Sequence, residues 1–270
     1  MTEQTRIHIF IIWICYNVRN EKNMEDILMY AIQTGNLVKR YGDLIAVDQL
    51  NLNIKRGELF SLLGVNGAGK TTVIKMLSCL SKPTDGDALV DGYSIANESK
   101  QVKARIGVSP QETAIAPNLT VKENLELLCG IYGFDKDKER MKIRELSDQL
   151  SLDNVMQRKA GKLSGGWQRR VSIAMALIGE PNILFLDEPT LGLDVIARRD
   201  LWELVSALKG KITIILTTHY MEEAEALSDR IGIMKDGKLL AVGTATELKQ
   251  QADTNDFETA FVTIVKGGAI

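Results

Sequence analysis

The chain has 270 residues, 45% of them apolar and 25% charged, ordinary values for a globular protein with one large domain or two small ones. A net charge of −2 excludes the global basic field that gathers nucleic acid. Three scattered cysteines, Cys15, Cys79 and Cys129, match neither a metal-ligand spacing nor a disulfide framework, so buried thiols in a reducing, cytosolic compartment are the simplest reading.

Residues 1–33 read as a leader apart from the rest. Positions 7–16 are almost wholly apolar and 17–26 polar. A run of that length is too short to span a bilayer. Only Arg6 precedes it and no small-residue cleavage pattern follows, which argues against a secretory signal. Two readings stand. One is an interfacial anchor, which the tryptophan and isoleucines suit. The other, which is preferred, is an extension outside the native chain, since Met24 and Met29 lie inside it and Met29 would start the chain just before the first strand. Little order is expected there on either reading.

The domain proper is expected over 34–250. Segments 36–41 and 44–47 read as short strands around a Gly42-Asp43 turn, and Leu50, Leu52 and Ile54 alternate with polar residues as a third. Arg56-Gly57 then turns the chain into the apolar strand 58–63. That strand feeds Gly64-Val65-Asn66-Gly67-Ala68-Gly69-Lys70-Thr71-Thr72, followed by Val73, Ile74, Met76, Leu77 and Leu80 at helical spacing. Strand, glycine turn and helix start make an anion site, because first-turn N–H groups lack intrahelical partners and the helix dipole favours negative charge. Gly64 and Gly69, with four residues between them, before Lys-Thr form a phosphate-binding loop. Lys70 is expected to reach β- and γ-phosphates and the Thr71 hydroxyl to ligate Mg²⁺.

Lys82-Pro83-Thr84-Asp85-Gly86 breaks the chain, and strands follow near 88–90 and 105–108. Residues 119–177 read mainly helical, an insertion expected over about 112–177. Within it, Leu163-Ser164-Gly165-Gly166-Trp167-Gln168 opens a helix. Taken alone this is an ordinary capped start, with Ser164 placed as the cap. Beside a phosphate loop it reads as a second phosphate contact, its glycines baring backbone N–H groups. Segment 183–188 is a buried-looking strand ending in Asp187-Glu188. Core strands of parallel sheets are continuous apolar runs, and ligands sit at their C-terminal ends. Asp187 is therefore placed to hold Mg²⁺ and Glu188 to orient or deprotonate water. A helix-capping acidic pair before Pro189 is the plainer alternative. His219 ends another core strand, where it is either a capping residue or a donor to a γ-phosphate oxygen. A helix over 221–227, a strand over 231–234, the Asp236-Gly237 hairpin into 239–242 and a Thr244/Glu247 capping box complete the domain. Residues 251–270 are expected to be a short tail.

The expected architecture is α/β: a parallel core, an antiparallel β lobe before it and a helical insertion in the middle. The ordered set of phosphate loop, Ser109-Pro110-Gln111-Glu112, Leu163 to Gln168, Asp187-Glu188, Leu191-Gly192-Leu193-Asp194 and His219 resembles the ATP-binding cassette ATPases, the nucleotide-binding subunits of ABC transporters. The resemblance covers roughly Gly35 to the C-terminus. It implies a P-loop NTPase core of the ABC ATPase fold, ATP and Mg²⁺ as ligands, and ATP hydrolysis coupled to transport.

The resemblance also implies roles. Tyr41 stacks on adenine, and Gln111 joins Mg²⁺ and water to the contact with a membrane subunit. Asp194 crosses toward the opposite site of a head-to-tail dimer. There Ser164, Gly165 and Gly166 of one copy, or of a paralogous cassette, complete the site built by Lys70 and Glu188 of the other. Trp167 departs from the family pattern, where methionine or another polar or aliphatic residue is usual. The Tyr-Gly-Asp-Leu start, Val-Ser-Pro-Gln segment and compact tail resemble ATPases of ABC-2-type exporters, which use a separate transmembrane permease at the cytoplasmic face of the cell membrane. No nucleic-acid partner is expected. An importer ATPase and soluble cassettes acting on ribosomes or chromosomes remain as alternatives. A single cassette and a short insertion without sustained heptads count against the last two.

Overall fold

The computed structural model describes residues 29–267. The leader readings fall on residues 1–28, outside the described residues, as does Cys15. The domain begins earlier than position 34: Ala31 and Ile32 are already buried in the first strand.

Two sheets organise the molecule. β1 (Tyr30–Tyr41), β2 (Leu44–Lys55), β4 (Asp85–Val90) and β5 (Tyr93–Ser94) form an antiparallel sheet in the order β2-β1-β4-β5. The expected short strands over 36–54 are thus two long ones. Asn36 and Gln49 have φ of 46° and 47°, and these left-handed residues interrupt the alternation while pairing resumes beyond them. Burial of Ile32, Leu37, Leu50, Leu52 and Ile54 holds both halves of the hairpin on one core.

The second sheet runs β10-β9-β3-β8-β7-β6. β3 (Leu59–Gly64), β6 (Ile106–Ser109), β7 (Ile183–Asp187), β8 (Thr213–Thr218) and β9 (Arg230–Lys235) are parallel, and β10 (Lys238–Gly243) is antiparallel to β9. β3, β7 and β8 are buried at every position, which is why they read as largely apolar segments, with Ser61 in β3 and Thr213, Thr217 and Thr218 in β8 buried among them. Asp91, just past β4, joins the two sheets: it accepts from Arg56 at the end of β2, from Arg105 before β6 and from Asn182 before β7.

The helices are α1 (Lys70–Leu77), α2 (Ser99–Lys103), α3 (Val121–Ile131), α4 (Lys136–Leu150), α5 (Gly165–Leu177), α6 (Val195–Leu208), α7 (Met221–Leu227), α8 (Ala245–Gln251) and α9 (Phe257–Lys266). The insertion is α3 and α4, packed on α5, with a Thr120/Glu123 capping box starting α3. The box expected at Thr244/Glu247 starts α8. Part of the expected tail is α9, whose Phe257, Ala260 and Phe261 are buried, the two rings in one cluster with Ile231 and Ile233 of β9. Cys129 is buried and Cys79 partly so; burial pushes both thiols up from their ordinary values. Among the described residues no helix is long and apolar enough to cross a membrane.

Candidate functional site

The C-terminal ends of β3, β7 and β8 meet the start of α1 at a cavity of about 600 Å³. Tyr41, Asn66, Gly67, Ala68, Gly69, Lys70, Thr71, Thr72, Gln111 and Glu188 line it, all expected site residues. No side chain caps α1, so its first-turn N–H groups open onto this space. Gly69, the N-cap, has φ of 100°, and a Cβ there would lie 2.4 Å from the Ala46 carbonyl oxygen. The loop can follow its path only with glycine at that position.

Lys70 folds back into the loop. Its Nζ donates to the Gly64 carbonyl at 2.8 Å and to the Val65 carbonyl at 3.2 Å, and lies 3.5 Å from Glu188 Oε1. Burial pulls the ammonium down from its usual value, against the opposing pull of the Glu188 and Asp187 charges. Asp187 closes β7 and is almost fully buried. Its Oδ1 accepts from Thr71 Oγ1 at 3.1 Å and from Thr217 Oγ1 at 2.5 Å. A hydroxyl and a carboxylate side by side, with Gln111 lining the same cavity, are the hard oxygen donors that Mg²⁺ takes. Among the described residues no group of three or more His, Cys, Asp or Glu is placed to hold a metal. A magnesium ion here would draw its other ligands from phosphate and water.

Glu188 sits just beyond β7 with φ of 47°, a left-handed conformation that costs a non-glycine residue about 1 kcal/mol or more. Its N–H donates to the Thr217 carbonyl at 3.1 Å and to Thr217 Oγ1 at 3.0 Å, which pins the strained backbone. The carboxylate therefore turns into the cavity instead of continuing the strand alternation. His219, one residue past β8, brings Nδ1 to 3.5 Å from Glu188 Oε1, and that buried nitrogen has no hydrogen-bond partner.

The other expected residues stand apart. Ser164 is the N-cap of α5 but its side chain accepts no capping hydrogen bond, contrary to the cap expected there. Ser164 and Gly165 are exposed and, with Gly166, lie outside the cavity wall. Asp194 caps its own helix, accepting from the Ile196 and Ala197 N–H groups, and is also outside the wall. Sequence reasoning missed the far wall: Leu44, Ile45 and Ala46 of β2, Leu191, and Asp236-Gly237 of the β9–β10 turn. Gly237 N–H donates to the Ala68 carbonyl and its own carbonyl accepts from Asp48 N–H, so this turn braces the phosphate loop from below. The Asp-Gly pair was legible as a hairpin, but nothing local says what a hairpin turn touches.

Residues 47–191 match the ABC transporter family. The probable multidrug ABC transporter ATP-binding protein YbhF of Escherichia coli is 39% identical over 241 residues, covering 87% of this chain and 42% of that protein. The chain thus spans less than half of that relative. The doxorubicin resistance ATP-binding protein DrrA of Mycobacterium tuberculosis is 41% identical over 225 residues, covering 82% of this chain and 68% of that protein. Among solved structures, the ATP-binding cassette MJ0796, dimeric in a post-hydrolysis state with ADP and Pi, is similar with a TM-score of 0.71 at 30% identity, over 79% of this chain and 98% of that one.

Proposed function

The chain belongs to the ABC transporter family, and from that footing we propose that it binds and hydrolyses ATP to power an exporter of the ABC-2 type. It would work through a separate transmembrane permease at the cytoplasmic face of the cell membrane. The observation that carries this reading is the cluster around the cavity-lining Lys70, Thr71 and Glu188: Glu188 lies 3.5 Å from both Lys70 and His219, and Asp187 accepts from Thr71, although Asp187 and His219 stand behind the cavity wall. The resistance and multidrug names of DrrA and YbhF support export over import.

The roles follow from position. Triphosphate oxygens take the open N–H groups of α1, and Lys70 exchanges two backbone carbonyls and Glu188 for β- and γ-phosphates. The exposed ring of Tyr41 at the cavity wall stacks on adenine. Thr71 and Asp187, with the Gln111 amide, would hold Mg²⁺, which when bound neutralises charge on the β- and γ-oxygens. Glu188 accepts the proton of the attacking water, and His219 donates to a γ-phosphate oxygen.

Ser164, Gly165, Gly166 and Asp194 lie outside this chain's own cavity wall, so they are read as serving the site of a second cassette, a copy of this chain or a paralogue, packed head to tail. The dimer of MJ0796 supports this arrangement. Because the γ-phosphate then touches both halves, ATP favours the closed pair and its hydrolysis releases it. Purified protein should release phosphate from ATP in a Mg²⁺-dependent manner. A protein that binds no adenine nucleotide would sink the reading.

A further inference from the structure

Three contacts run up one face of α5, each about a turn from the last, and all go to β6 and the loop that follows it. At the bottom, a Cβ on Gly107 would lie 2.2 Å from the Ala176 carbonyl oxygen, so strand and helix touch backbone to backbone. One turn higher, Ser109 Oγ and Ser172 Oγ share a hydrogen bond of 2.8 Å. At the top, Arg169 spreads its guanidinium over two successive carbonyls: Nη1 donates to Pro110 at 2.6 Å and Nη2 to Gln111 at 2.7 Å. The same face ends at Gly165, where the exposed helix start begins.

Arg169 is only 5% exposed and, among the described residues, forms no salt bridge. Burial pulls its guanidinium below the ordinary value, opposed only by the more distant charges of Asp187 and Glu223. An apolar residue of like volume would serve packing without that cost. What it would not do is hold two adjacent carbonyls in a fixed fork. Those carbonyls belong to the loop that carries Gln111 to the cavity.

We propose that Arg169 is a positioning residue that locks the Gln111 loop to the helix bearing Ser164, Gly165 and Gly166, so that the nucleotide-side amide and the outward-facing helix start move as one piece. This rests on the reading of Gln111 as a residue of the nucleotide site. It goes beyond that reading in joining a chain's own site to the part of it that serves the neighbouring copy.

Two measurements test it. The first needs no activity: hydrogen exchange on the nucleotide-free protein. Arg169→Met should speed exchange at residues 111–113 and at 168–171 together by about 10-fold or more, with a cooperative thermal transition retained. Exchange unchanged in both segments, or raised in only one, would overturn the linkage. The second is an ATPase cycle with Arg169→Met, Gln111→Ala and the double variant. Arg169→Met should lower kcat about 10-fold or more with KM for ATP within about 3-fold, and cause no further loss once Gln111 is alanine. An equal fold-loss in both backgrounds would overturn it. If Arg169→Met does not fold, Arg169→Lys replaces it in both measurements, since a flexible point-charge ammonium lacks the rigid planar fork and should give the same pattern at smaller amplitude. The exchange pattern in Arg169→Met beside a wild type with no ATPase activity would count against the proposed function and leave the linkage standing.

Discussion

Lys70 Nζ and Glu188 Oε1 lie 3.5 Å apart with side chains only 4% and 9% exposed. The cation that should meet phosphate is therefore held by the carboxylate that should meet water. Each offsets the other in a place where an isolated charge would be costly. On the proposed mechanism, arrival of a triphosphate would exchange one partner of the lysine for another and leave Glu188 free to engage water.

Glu188→Gln removes the base and the counter-charge but keeps the shape. Turnover should fall by about 10²-fold or more, while ATP affinity stays within about 3-fold or tightens because Lys70 no longer has a competing carboxylate. Phosphate-release kinetics and a fluorescent-nucleotide titration check both halves. A Glu188→Gln protein at wild-type kcat would take Glu188 out of the mechanism.

Lys70→Ala removes a charge-assisted contact to phosphate. Affinity for ATP should fall about 10- to 100-fold, as expected for a charged hydrogen bond of about 1.5–3 kcal/mol. Equilibrium dialysis with Mg-ATP measures it. Unchanged affinity would mean that the loop N–H groups suffice and that the lysine only neutralises Glu188.

Two loop glycines separate backbone strain from collision. Gly67 has φ of 83° with nothing within 4 Å of an added Cβ, whereas Gly69 has φ of 100° and would place its Cβ 2.4 Å from the Ala46 carbonyl oxygen. Gly67→Ala should cost about 1–2 kcal/mol in urea unfolding. Gly69→Ala should cost about 3 kcal/mol or more, since the Ala46 backbone must also move. Equal losses would contradict the packing of β2 against the loop.

Much of this was visible in the residues. The phosphate loop, Asp187-Glu188 and His219 announce themselves because each follows a short, mainly apolar strand, as buried parallel strands require. What was hidden depends on long-range contact. The β1–β2 hairpin was split because Asn36 and Gln49, at positive φ, break the period of 2 without breaking the ladder. Asp236-Gly237 was read as a turn, yet its place beneath Ala68 comes from tertiary pairing alone. Part of the tail was missed although Phe257, Ala260, Phe261 and Ile264 recur at helical spacing, a signal short enough to be passed over.

The Asp91 junction gives a pH dependence. Burial raises its carboxyl, but the Arg56 and Asn182 hydrogen bonds and the Arg56 and Arg105 charges outweigh that and hold it below the usual carboxylate range. Its contribution is therefore complete above the unfolded value of about 3.9 and is lost as pH falls through the lower folded value. Asp91→Asn should destabilise by about 1–2 kcal/mol at pH 7, a modest figure because both arginines are near 40% exposed and can rehydrate. That gap should close as pH drops below about 3.9. A wild-type-to-variant difference in urea midpoint that stays constant down to about pH 2.5 would show that the charge is not what joins the sheets.

In the proposed pair, the exposed start of α5 completes the nucleotide site of a second cassette. Sedimentation velocity of Glu188→Gln with and without Mg-ATP tests it most directly, because the bridging γ-phosphate then persists. The account predicts a monomer or weak dimer without nucleotide and a stable dimer with Mg-ATP. It further predicts that adding Ser164→Arg abolishes the dimer while each monomer still binds ATP through Lys70. A Glu188→Gln protein that binds Mg-ATP yet stays monomeric at high concentration, even beside its permease, would contradict it.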